Sequence, residues 1–472
     1  MMVVLKFGGT SVADADAIAR LVAIVGARRG ARTVVVSALA GVTDALLEIA
    51  RVAPVDAPLA RGSLAALVRR HHDVASVLGF SRHRLDSDIE GFALTAAKCV
   101  EALAAGGPPT SAKATAGGPT FANAAAGRPA VVDRLLAVGE LWSSRIVAAF
   151  LADAGTASQW CDARRVVRTN ARHGCAAPDL AATAECVARL VRPALALDRV
   201  VVIGGFVGSG PAGETTTLGR GGSDYSAAIL GACLTADEIE IWTDVDGVLS
   251  ADPRVVAGAR VLPALSYEDA SALAKFGAKV LHPKTIEPAA ALGIPVVVRN
   301  SRRPAEPGTR IDANGGGAGQ VAAVASRAGV SLVHIARRSS AAGSFAALAF
   351  QALSDAGVSV VVGEFSDDRL TVVVDESFDL DAFRVRVAPF AEVRIRAGLA
   401  AVCAVGDRLT SAAVVTDAFG IFDDASVHLV SRPHGRTSFA VIVDHGDAHG
   451  LVTRLHDRFH AGACDLEQKV AV

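Results

Sequence analysis

The 472-residue chain has no CxxC pair, no basic flank ahead of an apolar N-terminus, and almost no net charge. It also lacks any uninterrupted apolar run near the roughly 18 residues that a membrane-spanning helix needs. Each absence excludes something. The seven cysteines (99, 161, 175, 186, 233, 403 and 464) are scattered and odd in number. That argues against a zinc site or a disulfide framework and for free thiols in a reducing cytosol. Cys403, within LAAVCAV, reads as a small buried hydrophobe. MMVVLKFGGTSV does not have the layout of a signal peptide. Lys+Arg 47 against Asp+Glu 48 leaves a formal charge of −1, so nucleic acid and anionic membranes are not the expected partners. The mean hydropathy of +0.39 owes much to alanine. What remains is a soluble cytoplasmic protein, and at roughly 150 residues per domain its length suggests about three domains.

The first two-thirds alternate short β-branched runs with alanine-rich helical segments. VVLKF (3–7), TVVVS (33–37), VVVIGGF (200–206), EIEIWT (238–243) and IPVVVRN (294–300) read as buried strands, and 14–29 reads as a helix. Continuous apolar strands separated by helices predict a mainly parallel α/β sheet covered on both faces. Glycine-rich turns at 8–9, 204–213 and 219–222 are then expected outside the strand carboxyl ends, where ligands of such sheets gather. Residues 105–128, rich in Ala, Gly and Pro, read as a surface insertion. ANGGGAG (313–319) reads as a linker at a domain boundary.

Beyond it the sequence repeats at an offset of 69 positions: Phe350 with Phe419, Asp355 with Asp424, Val358 with Val427, Asp375 with Asp444. Each copy reads strand, helix, strand, strand, with helical patterns following at 379–390 and 447–460. A pair of βαββαβ units is predicted. The second copy carries no obvious catalytic cluster, so a regulatory or assembly role is expected.

Several segments bear chemistry. Lys6-Phe7-Gly8-Gly9-Thr10-Ser11 joins the first strand to a helix. Two glycines there let backbone N–H groups approach an anion, and Lys6 adds a full charge. The lysine precedes the glycines, so this is not a Walker A loop. A tight turn with a surface lysine explains it equally well in isolation. Thr217-Leu218-Gly219-Arg220-Gly221-Gly222-Ser223-Asp224 is a second such turn. Arg220 suits bidentate grip of a carboxylate, and Asp224 suits orientation of Lys6 or a metal; the bland alternative is a capped loop with a surface ion pair. Trp242-Thr243-Asp244-Val245-Asp246-Gly247 is compatible with ordinary Asp-Gly turn chemistry. Gly277 in Phe276-Gly277-Ala278-Lys279 is compatible with a helix C-cap. His282 before Pro283 reads as structural.

Taken together, KFGGTSV, SALAGVTD, GELWSSR, TTTLGRGGSDYSAA, WTDVDGVLSADPR and FGAKVLHP resemble the aspartate kinases of the amino acid kinase superfamily, in order and spacing. The resemblance covers about 3–311 and likens the repeat to paired ACT domains. It implies a three-layer αβα kinase domain over 1–311, a linker over 312–325, and ACT-like units over 326–398 and 399–472. It further implies an ATP- and Mg²⁺-dependent kinase acting on L-aspartate, with amino-acid effectors at the ACT-like units and a homodimer formed through them. Catalytic roles fall to Lys6, Asp224 and Lys279. The nucleotide falls to Lys6, Phe7, Gly8, Gly9, Ser37, Thr243, Asp244, Leu249, Arg254, Lys279 and Val280. Aspartate falls to Thr43, Glu140, Arg220, Gly221, Gly222 and Ser223, and no dedicated metal ligand is implied. Without the resemblance, Glu140 reads as an ordinary helix carboxylate.

Three departures stand out. Leu249 occupies a position where many relatives have tyrosine. The 105–128 insertion precedes Glu140. Lysine-sensitive relatives carry an aspartate just after the first ACT helix and a Thr-Ser pair in the next strand, where this chain reads Val358-Ser359-Val360-Val361-Val362-Gly363-Glu364-Phe365-Ser366. Weakened feedback by lysine is therefore expected. No fused dehydrogenase is expected after the repeats. A kinase for another amino acid or carbamate, and a catalytically dead amino-acid sensor, remain the alternatives.

Overall fold

The computed structural model describes residues 1–79, 85–106, 128–277, 283–315, 321–338, 344–356, 358, 360–375, 380–406, 409, 416, 418–422, 424–432 and 438–460. Two compact units emerge. Met1–Gly247 joins Lys284–Ala313, and Val248–Pro283 joins Asn314–Val472. Most of the 105–128 segment and part of the Gly-rich linker lie outside the described residues.

In the first unit the strands are β1 (Met2–Phe7), β2 (Ala31–Val36), β3 (Ser158–Cys161), β4 (Val200–Gly204), a hairpin of β5 (Val207–Ser209) and β6 (Thr215–Thr217), and β7 (Glu238–Thr243). Strand β8 (Ala264–Ser266) falls in the second unit, and β9 (Val296–Asn300) and β10 (Thr309–Asp312) return to the first. The main sheet of this unit runs β3-β4-β2-β1-β7-β9-β10. Every neighbouring pair is parallel except β9 with β10. The predicted parallel α/β sheet is therefore present. Residues 3–7 of β1 are buried throughout, as expected of a strand covered on both faces.

Register does the positioning. Phe7 is opposite both Val36 and Trp242, and Val36 is opposite Gly204. The carboxyl ends of β1, β2, β4 and β7 thus finish on one line, and the turns that follow them emerge side by side.

The 25-residue helix Pro129–Asp153 is the longest described helix, and by composition it is apolar enough to cross a membrane. Yet 78% of its most apolar stretch is buried in the protein, which makes it a core helix. Trp142 is fully buried on it, with its ring 4.4 Å from that of His71 and its indole N–H donating to the Ile89 carbonyl at 3.0 Å. His71 donates through Nδ1 to the Leu67 carbonyl at 2.7 Å, and burial drives its pKa down to about 4.

In the second unit, the Tyr267–Lys275 helix is capped by Ser266, whose hydroxyl accepts the Asp269 N–H at 3.0 Å. The remaining strands are β11 (Ala323–Arg337), β12 (Val360–Phe365), β13 (Arg369–Asp375), β14 (Ala391–Val405), β15 (Val427–Ser431) and β16 (Ser438–Asp444). They form one antiparallel sheet ordered β12-β13-β11-β14-β16-β15. The sequence repeat is visible in it, because β13 and β16 have the same length and lie 69 positions apart. An ion pair repeats too: Arg327 with Asp375 at 2.5 Å and Arg396 with Asp444 at 3.2 Å.

The two 15-residue strands serve both copies. Residues 330–336 of β11 pair with β13 and residues 330–337 with the first half of β14, while residues 323–328 pair with 400–405 of β14. The copies therefore interleave, which the linear repeat did not disclose. A core of Val333, Ile335, Leu353, Val372 and Phe383 fills the first copy. In the second, Phe422, Phe439 and Leu455 pack with Ala251 and Val256.

Candidate active site

The turns at the carboxyl ends of β1, β2 and β4 enclose a cavity of about 570 Å³ in the first unit. Its floor begins with β1. Gly8 anchors the turn by donating its N–H to the Trp242 carbonyl at 3.0 Å. Gly9 faces the next turn so closely that a Cβ would come within 3.3 Å of the Ala38 carbonyl. The Ser37 N–H donates to the Phe7 carbonyl at 3.1 Å, and the Ser143 hydroxyl donates to the Ser37 carbonyl at 2.7 Å. Arg70 braces the same turn through the Ala40 carbonyl at 2.8 Å. Gly41, at φ +77°, opens the Val42–Val52 helix, whose first turn presents Thr43.

Lys6 leaves the end of β1 only 8% exposed and forms an ion pair with Asp224. Asp224 belongs to the first turn of the Gly222–Leu234 helix, where the helix dipole favours a carboxylate. Gly221 precedes that helix at φ +68°, a conformation a side chain at this point would oppose. Helix and β4 turn also approach closely, since a Cβ on Gly205 would fall 2.7 Å from that of Ser223. Phe206 lines the cavity with φ +65°, uncommon for a bulky residue, and its N–H donates to Ser226 at 2.9 Å.

Glu140 projects from the Pro129–Asp153 helix. It is 3% exposed, and its Oε2 has no hydrogen-bond partner among the described residues. Burial raises its pKa to about 8, with the Ala38 N–H pulling the other way. Arg220 lines the same cavity, is itself exposed, and forms no ion pair among the described residues.

A protein built this way can hold a polyanion at the Lys6 end and a zwitterion near Glu140 and Arg220. The family model of the amino acid kinase family matches residues 1–300. Lysine-sensitive aspartokinase 3 of Escherichia coli is 33% identical over 96% of this chain and 98% of its own length. The chain belongs to the amino acid kinase family, among its aspartokinases. The structure of E. coli aspartokinase III with aspartate and ADP matches at a TM-score of 0.84 and 32% identity, covering 97% of this chain and 99% of that one. The complex of that enzyme with lysine and aspartate matches at 0.75 over the same spans.

The sequence-predicted residues divide clearly. Lys6, Gly9, Ser37, Thr43, Glu140, Arg220, Gly221, Gly222, Ser223 and Asp224 all line the one cavity. Gly8 adjoins it, since a Cβ there would be 3.5 Å from Lys6 Nζ. Phe7 does not line it; its fully buried ring stacks on Trp242 with centroids 6.0 Å apart. Thr243 ends β7 and Asp244 follows it, the two hydrogen-bonded to each other at 3.3 Å. Leu249 bridges to Val261, and Arg254 pairs with Asp252 in an exposed turn of the second unit. Lys279, Val280 and His282 lie outside the described residues. Sequence reasoning missed Leu136 and Gly174 in the cavity wall, and it gave no role to Thr217, which heads the second glycine-rich motif. Gly174, a lone glycine between short elements, carries no signal in the sequence, and Thr217 is the last residue of β6.

Proposed function

We propose that this chain transfers the γ-phosphoryl group of ATP to the side-chain carboxylate of L-aspartate. The products are 4-phospho-L-aspartate and ADP, at the entry to aspartate-derived amino acids. One observation carries the reading: a single cavity combines a lysine at a glycine turn with a buried, half-unpartnered glutamate and a free arginine. In this reading Glu140 takes the substrate ammonium group and Arg220 its α-carboxylate, with Thr43, Ser223 and the Gly221 and Gly222 amides completing the contacts. Lys6, Gly8, Gly9 and Ser37 take the phosphates, with Phe7 contributing only its backbone. Thr243, Asp244, Leu249, Arg254, Lys279 and Val280 keep the nucleotide roles that the sequence resemblance implies.

The chemistry suits these groups. An aspartate side chain with a pKa of about 3.9 is already ionised at neutral pH, so no general base is required. What must be overcome is an anion approaching a polyanion. Lys6 and the turn amides offset that charge without reorganising during the reaction. Asp224 holds Lys6 in place. Mg²⁺ would enter with the nucleotide, shielding the phosphate oxygens. Among the described residues no three acidic, imidazole or thiol side chains converge into a metal cage. A magnesium ion held mainly by phosphate and water needs only one or two carboxylates, and Asp224 beside Lys6 would serve.

Aspartate, ATP and Mg²⁺ with hydroxylamine are expected to give aspartyl hydroxamate; its absence with purified protein refutes the reading. Lysine inhibition is expected to be weak. The stretch after the Phe345–Asp355 helix begins with Val358, and the one carboxylate of β12, Glu364, comes only near the end of the strand, so no carboxylate stands where lysine-sensitive relatives carry their aspartate. Strong inhibition by lysine at cellular concentrations contradicts this. The described free cysteines, four of them buried, fit a cytoplasmic setting. A homodimer through the ACT-like sheet fits its edge strands β12 and β15, since side-by-side pairing covers unpaired backbone groups. A monomer mass by light scattering contradicts the dimer.

A further inference from the structure

Asp133 belongs to none of the motifs above, yet its side chain is completely buried. Burying a carboxylate is costly unless its oxygens are partnered. Here both are. The Thr217 hydroxyl donates to Oδ1, His173 Nδ1 contacts Oδ2 at 2.6 Å, and the Gly174 N–H is shared between the two oxygens at 3.2 Å. Burial raises the Asp133 pKa, and the bonds from Thr217, His173 and Gly174 oppose that rise.

The partners are informative because of where they lie. Gly174 and Thr217 both line the substrate cavity, and their segments are tied together by the Ala176 N–H, which donates to the Thr217 carbonyl at 2.9 Å. Thr217 ends β6 and leads directly into the Gly219–Asp224 turn. On the helix, Leu136 and Glu140 follow Asp133 at i+3 and i+7, so the three share one face. A close approach reinforces the wall: a Cβ on Gly219 would lie 3.0 Å from the Gly174 carbonyl.

We propose that Asp133 is a positioning residue for the amino-acid substrate, stapling Thr217 and Gly174 to the helix that carries Glu140. It thereby fixes the space between Glu140 and the Arg220 turn, and so selects aspartate over the one-methylene-longer glutamate. The inference rests on the aspartate kinase reading. A rigid pocket discriminates one methylene by roughly 10–200-fold, and a wall freed from its staple loses part of that.

The test uses the full-length protein and hydroxamate formation with aspartate and with glutamate. Thr217→Val keeps the shape and removes the donor, Thr217→Ser keeps the donor, and Asp133→Asn removes the charge. For Thr217→Val and Asp133→Asn, the aspartate KM is expected to rise about tenfold or more while the ATP KM stays within about twofold. The aspartate-to-glutamate ratio of kcat/KM should fall in both, and Thr217→Ser should behave as wild type. If Asp133→Asn does not fold by circular dichroism, the two Thr217 variants decide. Equal rises in both KM values, or an unmoved aspartate KM with an unmoved ratio, overturn the inference. A wild type inactive on aspartate overturns the kinase reading itself, whereas an active wild type with unmoved variants overturns this inference alone.

Discussion

Lys6→Ala is expected to lower kcat by about 10²–10³-fold, the loss typical of one preorganised electrostatic donor in an acyl- or phosphoryl-transfer site. The reason is geometric. Lys6 is fixed by the buried last residues of β1 and by its ion pair with Asp224, so its charge needs no rearrangement when the phosphoryl group moves. The effect should fall on kcat more than on the aspartate KM, because Lys6 acts on charge that develops during transfer. Asp224→Ala should show a related loss by freeing Lys6. The two losses should not add, since both act through one pair. Removing one partner also leaves the other charge poorly compensated in a mostly buried place, at a cost of up to about 3–5 kcal/mol of stability. Kinetics must therefore be read on variants that are folded by circular dichroism. Rates within a factor of a few of wild type in both folded variants would contradict the assignment.

Much of this site is legible in the sequence. The parallel sheet followed from strands that are apolar along their whole length, and its carboxyl edge followed from the glycines after β1 and β4. The two turns then met because parallel register brings Phe7, Val36 and Gly204 into line. The meeting of Asp133, Gly174 and Thr217 was not legible. They are far apart in sequence, and their meaning is a contact that only tertiary packing creates. The interleaving of the repeats escaped for a related reason. A strand of 15 residues has one apolar pattern whether or not it changes partners, and the change occurs at Gly329, where φ +69° coincides with a shift in register. Periodicity reports burial; it does not name the neighbour.

Glu140→Gln is expected to stabilise the fold at neutral pH while it disables substrate binding. The carboxyl has an ordinary pKa of 4.5 that burial raises to about 8 in the folded protein. Below pH 4.5 it is protonated in both folded and unfolded chains and contributes no difference. Between pH 4.5 and 8 the unfolded chain releases the proton and the folded protein retains it, so stability falls as pH rises through that window. At pH 7 the penalty is on the order of 3 kcal/mol, at about 1.4 kcal/mol per pH unit. Glutamine cannot ionise and escapes it. Denaturation midpoints of the variant and wild type should therefore agree near pH 4 and diverge in favour of the variant towards pH 8. The same ionisation governs the substrate. Pairing with an ammonium group requires the carboxylate, so the wild-type aspartate KM should fall by up to about tenfold per pH unit below 8 and then level. Glu140→Gln should raise that KM about 10²-fold, as expected when a buried charged partner is left without its mate, and should flatten the pH profile. A wild-type KM that does not change with pH, or a variant no more stable at pH 8 than wild type, would mean that Glu140 is ionised in the free protein and that its buried oxygen is satisfied by something other than substrate.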